Sequence, residues 1–375
     1  MKIAIDIRNI GKGRTGDEVV FFELVRSLAL IDDENDYRLL IDNRSHDEIT
    51  EIVKKFGIEN KKNFTIVQLG SGNKFLWNGY KVSRYCIQEC IDIYHTQYII
   101  PFFVPVDTKI VTHIHDISFK VHKELISKKD AFFLNHLIPR ALNKSDKIIA
   151  VSQFTKDEII KYYKIPAEKI AVVHNAVSIE RTGQDYSIIQ KKYNLPKKYI
   201  LALGTMQPRK NIPFLVDAFA QLVDKEIEDI NLVLVGKKSH NFDNEIQQSI
   251  DKYPEIKEKV IFTGYVDEID KFSIFENAQV FAFPSLYEGF GVPILEAFKA
   301  DTLVVASDIA PHREVGGAGV LYFDPCDIDQ CMKTLYDALV NDNIREVTLS
   351  ASAEQQNKFS WKKSAEKMKE IYLSI

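Results

Sequence analysis

The chain is organised around residues 284–298, Pro284-Ser285-Leu286-Tyr287-Glu288-Gly289-Phe290-Gly291-Val292-Pro293-Ile294-Leu295-Glu296-Ala297-Phe298. The apolar run Val280–Phe283 before this stretch is typical of a buried strand, and the apolar residues after the loop recur at helical spacing. The stretch therefore predicts a strand, a loop and a helix. Pro293 suits the first helical turn because that position needs no amide hydrogen, and the two glycines let a ligand approach the backbone closely.

The loop before this helix predicts a site for a phosphate and a sugar. The backbone N–H groups of Gly289, Phe290 and Gly291 belong to a helix N-terminus, where the helix dipole favours an anion. Glu288 lies in the loop and Glu296 about one turn into the helix, and carboxylates accept hydrogen bonds from sugar or ribose hydroxyls. Taken singly, either glutamate is better explained by the dipole, which favours an acid near a helix start.

Length and composition indicate a globular protein with more than one domain. The 375 residues suffice for two or three domains, and 45% apolar with 27% charged residues is typical of a soluble chain. The net charge of −4 gives no general attraction for nucleic acid. The four cysteines lack paired metal spacing and the N-terminus lacks the apolar core of a signal peptide, so we expect reduced thiols and a cytoplasmic location. No run approaches ~18 apolar residues, so we expect no membrane span.

Short β-branched runs alternate with amphipathic segments along the whole chain, which is the pattern of parallel sheets. The first series of predicted strands is Ile3–Ile7, Arg38–Ile41, Phe64–Leu69, Ile91–His95, Ile110–His115, Ile148–Val151 and Ile170–His174. The second series is Tyr199–Gly204, Leu232–Gly236, Val260–Thr263, Val280–Phe283, Leu303–Ala306 and Val320–Phe323. The economical prediction is two Rossmann-like α/β domains, 1–180 and 195–357, with a hinge in the polar stretch Ser178–Lys198 and a terminal helix in 358–375.

The first loop matches the dinucleotide fingerprint, because Gly11-x-Gly13-x-x-Gly16 follows a strand and precedes the predicted helix Glu18–Leu30. That match suggests a dehydrogenase. Against it, Arg8-Asn9-Ile10 moves the glycines away from the strand end, and the nearest acid at a second strand end, Asp42, lies beyond the ~20 residues that the ribose contact requires. An NAD-dependent oxidoreductase stays open as the second interpretation.

Two further loops carry candidate ligands at carboxyl ends of strands, where doubly wound sheets bind their ligands. His115-Asp116 ends one strand of the first domain, although a lone histidine there is usually an ordinary hydrogen-bonded residue. Arg209-Lys210 follows the first strand of the second domain and could clamp a diphosphate, although composition alone would make both surface residues. We expect their substitution to weaken a diphosphate ligand and to leave the fold intact.

A metal site is not expected. Asp327-Ile328-Asp329 has the D-x-D pattern that metal-dependent transferases use, but it starts the predicted helix Gln330–Leu339, where acids favour the dipole. We interpret these residues as a capping region. Ser152 is similarly a candidate helix cap.

Taken together, the motifs resemble those of the retaining GT-B glycosyltransferases of family four. Glu288-Gly289-Phe290-Gly291-x-Pro293-x-x-Glu296 is similar to the family's E-x7-E signature, and Pro208-Arg209-Lys210-Asn211 and His115-Asp116 resemble two further family motifs. The resemblance implies an α/β GT-B fold, with two Rossmann-like domains facing each other across a cleft and a C-terminal helix crossing back to the first domain. It is densest from Tyr199 to Pro325.

The resemblance also implies roles for the candidate residues. Catalytic roles fall to His115, near the donor sugar, and to Glu288, which should bind the transition state preferentially, while Glu296 holds the ribose. The donor nucleotide sugar is held by the remaining candidates, which are Gly16, Arg209, Lys210, Tyr265, Val266, Gly289, Phe290 and Gly291. The sequence departs from the family at Asp17-Glu18 and at Thr205, where many relatives carry an arginine, so Arg209 must supply that charge.

The implied function is hexose transfer, without a cofactor or metal, from a nucleotide-diphosphate sugar to a saccharide or lipid-linked saccharide. GDP-mannose is the first choice of donor, ahead of UDP-glucose and UDP-N-acetylglucosamine. The basic stretch 120–147, preceded by Phe102-Phe103, suggests peripheral contact with the inner face of a membrane, although a solvated helix face explains it as well. A GT-B nucleotide-sugar epimerase and a non-catalytic nucleotide-binding module also stay open.

Overall fold

Two parallel sheets organise the chain in the computed structural model, which describes residues 1–12, 16–70, 74–122, 128–224, 227, 229–236 and 244–375. Each sheet belongs to its own unit. The first unit is formed by the described residues of Met1–Lys123, Ser127–Asn175 and Ser360–Ile375, and the second by those of Ala176–Phe359. The prediction of two Rossmann-like α/β domains is therefore confirmed, whereas the exact domain boundaries given above stay a prediction.

The sheet of the first unit has the order β3-β2-β1-β4-β5-β6-β7. Its strands are β1 (Lys2–Asp6), β2 (Asp36–Ile41), β3 (Phe64–Gln68), β4 (Ile93–Gln97), β5 (Lys109–Ile114), β6 (Lys147–Ala150) and β7 (Ile170–Val172). All pairings are parallel, with Ile3 opposite Tyr37 on one side and Ile93 on the other. Ile3, Ala4 and Ile5 of β1 are fully buried, as expected for a strand covered on both faces by helices.

The sheet of the second unit has the order β10-β9-β8-β11-β12-β13. Its strands are β8 (Tyr199–Leu203), β9 (Asn231–Val235), β10 (Val260–Gly264), β11 (Val280–Phe283), β12 (Val304–Ser307) and β13 (Val320–Phe323). Each of the thirteen strands predicted from the sequence is present, with its ends within two residues of the prediction. β-Branched apolar runs are reliable here because a parallel strand buried on both faces requires them along its whole length.

The helices that cover the first sheet are α1 (Asp17–Ile31), α2 (His46–Phe56), α3 (Lys74–Leu76), α4 (Val82–Gln88), α5 (Ser118–Val121), α6 (Lys128–Lys144) and α7 (Gln153–Tyr163). A π-helical turn, Trp77–Lys81, joins α3 to α4. Those of the second unit are α8 (Tyr186–Tyr193), α9 (Ile212–Asp224), α10 (Glu245–Asp251), α11 (Lys271–Glu276), α12 (Val292–Lys299), α13 (Ala310–Gly316), α14 (Ile328–Val340) and α15 (Asp342–Gln356). The last helix is α16 (Trp361–Leu373).

The C-terminal helix α16 returns to the first unit and packs against α1. Its predicted apolar face is buried, because Met368 and Tyr372 are fully enclosed and the Tyr372 hydroxyl lies 2.7 Å from Nδ1 of His95 on β4. Ser364 also donates a hydrogen bond to the His174 carbonyl at 2.6 Å. The expected crossing of the terminal helix to the first domain is thus observed.

The stretch predicted as a hinge differs from expectation. It contains α8, whose cap Asp185 accepts a hydrogen bond from the Ser187 amide at 2.9 Å. The sequence did not reveal this helix because its apolar period is short, with Ile189 as the buried residue. Two predicted caps are confirmed, since Ser152 accepts from the Thr155 amide and Asp327 from the Gln330 amide, each at 2.9 Å.

Candidate functional site

The densest cluster of candidate residues lies at the centre of the second sheet. β8 and β11 are hydrogen-bonded neighbours there, and the strand order reverses between them. Such a reversal opens a crevice at the carboxyl ends of the strands, which is where open α/β sheets bind ligands. The loop after β8 carries Arg209 and Lys210, and the loop after β11 carries Glu288, so the topology brings the three side chains together.

Glu288 forms ion pairs with both cations. Its Oε2 accepts a hydrogen bond from Nη1 of Arg209 at 2.9 Å, and its Oε1 accepts one from Nζ of Lys210 at 2.5 Å. Arg209 also donates to the Tyr287 carbonyl at 3.2 Å, and its own carbonyl accepts from the Leu286 amide at 2.8 Å. The two loops are therefore joined by side-chain and backbone bonds, which fixes the carboxylate relative to the cations.

The site is buried and strongly polarised. Glu288 is 9% exposed and Lys210 is 8% exposed. Burial alone would raise the pKa of the Glu288 carboxyl, but Lys210 and Arg209 outweigh burial and hold that pKa well below its usual range. Two cations against one carboxylate leave an excess positive charge, which suits a diphosphate. Lys210 is not the surface residue that composition alone suggests, because its ammonium group is a buried partner of Glu288.

Glycine at position 204, directly after β8, makes room for Lys210. Gly204 has φ +151°, and a Cβ there would lie 3.3 Å from Cε of Lys210. Gly236, after β9, has φ +153°, and a Cβ there would overlap with the Gly204 carbonyl oxygen. A Cβ at position 236 would therefore displace the backbone of the loop that carries the cations, whereas one at position 204 would press on the Lys210 side chain.

The turn between Glu288 and α12 has the predicted form. Gly291 precedes α12 with φ +118°, a conformation that favours glycine, and Pro293 lies in the first turn. Gly289 and Gly291 are buried. The Phe290 ring packs edge-on against Phe359 with centroids 5.7 Å apart, so its side chain anchors the turn, and a role in donor binding would fall to its backbone.

Glu296 lies on the buried face of α12 and is held by a cation that the sequence analysis missed. Nζ of Lys271, at the start of α11, donates to Oε1 of Glu296 at 2.8 Å and lies 3.1 Å from Glu268. Burial would lower the pKa of Lys271, but Glu296 and Glu268 raise it above its usual value. Nothing in the linear spacing pairs residues 271 and 296, so only the packing of α11 against α12 reveals this contact.

Tyr265 and Val266 follow β10, two strands away from β8. The Tyr265 side chain is 45% exposed and Val266 is buried. The Gly236 amide donates to the Gly264 carbonyl at 2.9 Å, and the Gly204 amide donates to the Val235 carbonyl at 2.9 Å. These bonds connect the ends of β8, β9 and β10 into one edge, so the segment that we expect to contact a nucleobase shares that edge with the cations.

His312, on α13, is a second residue that the sequence analysis missed. It is fully buried, and its ring stacks on Phe283 with centroids 4.6 Å apart. Nδ1 lies 3.0 Å from the Ser307 carbonyl, which can only accept, so Nδ1 carries the proton. Nε2 is buried and has no hydrogen-bond partner among the described residues. Burial lowers the pKa of His312 to about 4, against the raising effects of Glu288 and of the Ser307 bond.

In the first unit, His115 lies just beyond the end of β5 and near the start of α1. Its Nε2 lies 3.1 Å from Oε1 of Gln97 and 3.9 Å from Oδ1 of Asp17. Gly16, with φ +80°, immediately precedes α1. The structure therefore places Gly16 and His115 at one end of the first sheet, together with Asp17. Gly13, the middle glycine of the dinucleotide fingerprint, lies outside the described residues.

His115 is the first ring in a column of three imidazoles. Its ring stacks on His113 at 4.9 Å, and His113 stacks on His95 at 5.7 Å, with Phe21 against all three. Burial lowers the pKa of His95 to about 3 and that of His113 well below its usual value. Both are therefore neutral at pH 7.

Within the described residues, no group of three or more His, Cys, Asp or Glu side chains is arranged to hold a metal ion. Nor does any helix of the described chain reach the length and apolar character that crossing a membrane requires. Within the predicted membrane-facing stretch 120–147, residues 123–132 lie outside the described side chains.

The chain is similar to known glycosyltransferases. Residues 15–181 match the family described as Glycosyltransferase Family 4, and residues 185–368 match the family described as Glycosyl transferases group 1. The O-antigen chain mannosyltransferase B of Escherichia coli is 28% identical over 96% of both chains. The serotype-specific mannosyltransferase WbdA of Escherichia coli is 30% identical over 72% of this chain and 35% of that protein. The crystal structure of Anabaena HepE in complex with UDP-glucose covers all of both chains, with a TM-score of 0.74 at 17% identity.

Proposed function

We propose that this chain, which belongs to the group 1, family 4 glycosyltransferases and is a hexosyltransferase of mannosyltransferase type, transfers mannose from GDP-mannose. The proposed acceptor is a saccharide or lipid-linked saccharide, and the proposed reaction retains the configuration at the anomeric carbon. The observation that carries the proposal is the carboxylate of Glu288, buried between Arg209 and Lys210 at the reversal point of the second sheet.

The first step of the proposed mechanism is departure of the nucleoside diphosphate. Arg209 and Lys210 are positioned to stabilise the negative charge that develops on it, with the planar fork of arginine and the point charge of lysine acting on the phosphates. The turn Gly289–Gly291 at the start of α12 would add its backbone N–H groups. Since charge builds on the leaving group only as the bond breaks, these groups favour the transition state over the bound substrate.

The second step is attack by the acceptor hydroxyl on the same face of the sugar, with the departing phosphate taking its proton. Glu288 would face the positive charge that grows on the sugar ring, His115 would contact the donor sugar, and Glu296 would hold the ribose hydroxyls. The Lys271 contact supports that assignment for Glu296, because it holds the buried carboxylate in place, and carboxylate oxygens accept hydrogen bonds from hydroxyl groups.

Two observations on similar proteins support mannose as the transferred sugar and a nucleotide sugar as the donor. The Escherichia coli relatives above are mannosyltransferases by name, and HepE was crystallised with UDP-glucose. GDP-mannose remains our first choice of donor because of the mannosyltransferase relatives. We propose a cofactor-free and metal-independent reaction, because cations of the protein already face the position of the phosphates.

A lipid-linked acceptor and peripheral contact with the inner face of a membrane are part of the proposal. They are supported by an exposed apolar surface on the first unit, which we define as Leu76, Tyr80, Ile87 and Phe103. The first three recur along the helical segment from α3 to α4, and the Phe103 carbonyl is bound by the Ser83 hydroxyl of the same segment. Aromatic and aliphatic side chains next to Arg84 suit a membrane–water interface.

The test is a transfer assay with GDP-mannose, UDP-glucose and UDP-N-acetylglucosamine, each with simple mannosides as acceptors and with NMR of the product to assign the anomeric configuration. We expect transfer from GDP-mannose with retention, and stabilisation by ~2.7 kcal/mol when a nucleotide is present at about 100 times its Kd. Stronger stabilisation by UDP than by GDP would overturn the donor assignment. Interconversion of two nucleotide sugars would indicate an epimerase, and binding without turnover a non-catalytic module.

A further inference from the structure

His312 packs against the turn of the candidate donor site, and one of its two ring nitrogens has no hydrogen-bond partner among the described residues. Its Cδ2 would lie 3.6 Å from a Cβ placed on Gly291, so the ring supports the turn that follows Glu288. The same Phe283 ring that stacks on His312 lies 5.0 Å from Nζ of Lys210. Because Nδ1 already donates to the Ser307 carbonyl, Nε2 carries a lone pair that is buried and unpartnered within the described residues. A buried polar atom without a hydrogen-bond partner is destabilising unless a partner is supplied.

Binding of a nucleotide sugar would change the charge balance around this histidine. Both cations that could bind a diphosphate, Arg209 and Lys210, are bound to Glu288 in the structure. A diphosphate that attracts them weakens their hold on a carboxylate that is 9% exposed. A buried carboxylate that loses its counter-ions must either take up a proton itself or be paired with another cation.

We propose that His312 takes up a proton when the nucleotide sugar binds and becomes the positive partner that keeps Glu288 ionised and in position. The inference rests on the proposed function, because it requires a diphosphate ligand. The proton comes from solvent and binds Nε2, while Nδ1 keeps its own proton and its hydrogen bond to the Ser307 carbonyl, so no bond of the substrate is involved. When the nucleoside diphosphate leaves, the cations return to Glu288 and the proton returns to solvent. His312 is thus a positioning residue that acts through Glu288.

The surroundings of His312 leave Glu288 as its natural acidic partner. Glu288 favours the protonated form of His312, and Lys210 opposes it. Movement of Lys210 toward the ligand therefore favours protonation of His312, and so does the loss of the cations that neutralise Glu288.

Neighbouring residues before and on α13, and on β13, make contacts of their own. Asp308 and Arg313, at the start of α13, form an ion pair with each other. From β13, the Tyr322 hydroxyl donates to the His312 carbonyl at 3.2 Å. Glu314, which follows on α13, accepts at its carbonyl from the Gln355 amide group at 3.3 Å.

The experiment measures protons taken up on binding, by isothermal titration calorimetry of GDP-mannose in two buffers of different ionisation enthalpy at pH 7. A nucleotide sugar is the right probe because its phosphodiester groups have no proton to lose near that pH, unlike a nucleoside diphosphate. We expect uptake approaching about one proton per bound donor, and a Kd that rises up to ~10-fold per pH unit between the pKa of free His312, about 4, and the higher pKa of bound His312. UDP-glucose serves as a second probe.

Two substitutions identify the group. His312→Gln should bind the nucleotide sugar without proton uptake, and Glu288→Gln should also lose the uptake, because no carboxylate then needs a partner. The control His46→Gln removes an exposed histidine and should leave the uptake unchanged. If His312→Gln does not fold, the pH dependence of Kd in the wild-type chain and the Glu288→Gln result still decide the matter.

Three results would overturn the inference. They are tight binding with no proton uptake, uptake that persists in His312→Gln, and a wild-type Kd that is independent of pH from 6 to 8. Each of these leaves the proposed transferase activity intact, because donor binding and transfer are measured separately. Absence of any nucleotide-sugar binding would instead refute the proposed function and the inference together.

Discussion

Replacing Lys210 by methionine removes one charge from the Glu288 site and keeps the volume of the side chain. The ammonium group lies 2.5 Å from Oε1 of Glu288, and both side chains are about 10% exposed. Breaking a buried pair by removing one partner costs about 3–5 kcal/mol, and Arg209 remains on the other carboxylate oxygen, so we expect the lower end, about 3 kcal/mol. For a unit of this size that corresponds to a fall in Tm of roughly 6–12 °C.

The matched control is Lys257→Met in the same unit. Lys257 is 61% exposed and its ammonium group lies 3.7 Å from Asp251, which is the geometry of a surface pair worth about 0–1 kcal/mol. The assay is urea denaturation at pH 7, followed by circular dichroism, for both variants. Donor affinity, measured by calorimetry, should fall about 10- to 100-fold in Lys210→Met only, because one charge-assisted hydrogen bond to the phosphates is lost.

A double-mutant cycle with Glu288→Gln tests the cause. If the cost arises from an uncompensated carboxylate, Lys210→Met should destabilise the Glu288→Gln background by much less than the wild-type chain. Equal stability of Lys210→Met and Lys257→Met, or strict additivity in the cycle, would refute the argument that the buried carboxylate depends on its lysine.

Three further predictions follow from the site and the histidine column. Glu288→Gln should lower kcat by at least ~100-fold while nucleotide affinity is retained or increased, because both cations become available to the phosphates. Glu296→Gln should instead act mainly on the donor KM, by an amount equivalent to about 1–3 kcal/mol. Steady-state kinetics that show equal effects of the two substitutions would contradict this division. Transfer should survive EDTA, and loss of activity that Mg²⁺ or Mn²⁺ restores would reopen Asp327 and Asp329 as ligands. The pKa of His95 lies at about 3 in the folded chain and at about 6.5 when unfolded. Its contribution to the free energy of unfolding is therefore constant above pH ~6.5 and falls by ~1.4 kcal/mol per pH unit below that pH. Urea titrations from pH 7 to 5 should accordingly show a smaller loss of stability in His95→Phe than in the wild-type chain.

The same linkage has the opposite sign at Glu288. Its pKa is depressed in the folded chain, so the stability that this carboxylate contributes is present above its unfolded pKa of about 4.3 and is lost as the pH falls toward the folded value. The histidine and carboxylate effects therefore act in separate pH ranges in a wild-type titration.

The sequence by itself determined the elements and the local motifs. Strands such as Val280–Phe283 were predicted with their observed bounds, because a strand buried on both faces needs an unbroken apolar run. The cap Asp327 and the turn at Gly291 were also predictable, because each depends only on residue types within a few positions of one another. The family motifs likewise marked Arg209, Lys210 and Glu288.

Only the tertiary structure decided which of these groups contact each other. Glu288 is separated from Lys210 by 78 residues and Glu296 from Lys271 by 25, and no periodicity encodes such pairs. His312 had no sequence signal at all, because its burial and its partnerless Nε2 arise where β11, β12 and α13 pack together. Spacing along the chain fixes local hydrogen bonds, whereas the burial that makes Lys210 the counter-ion of a buried carboxylate depends on the whole fold.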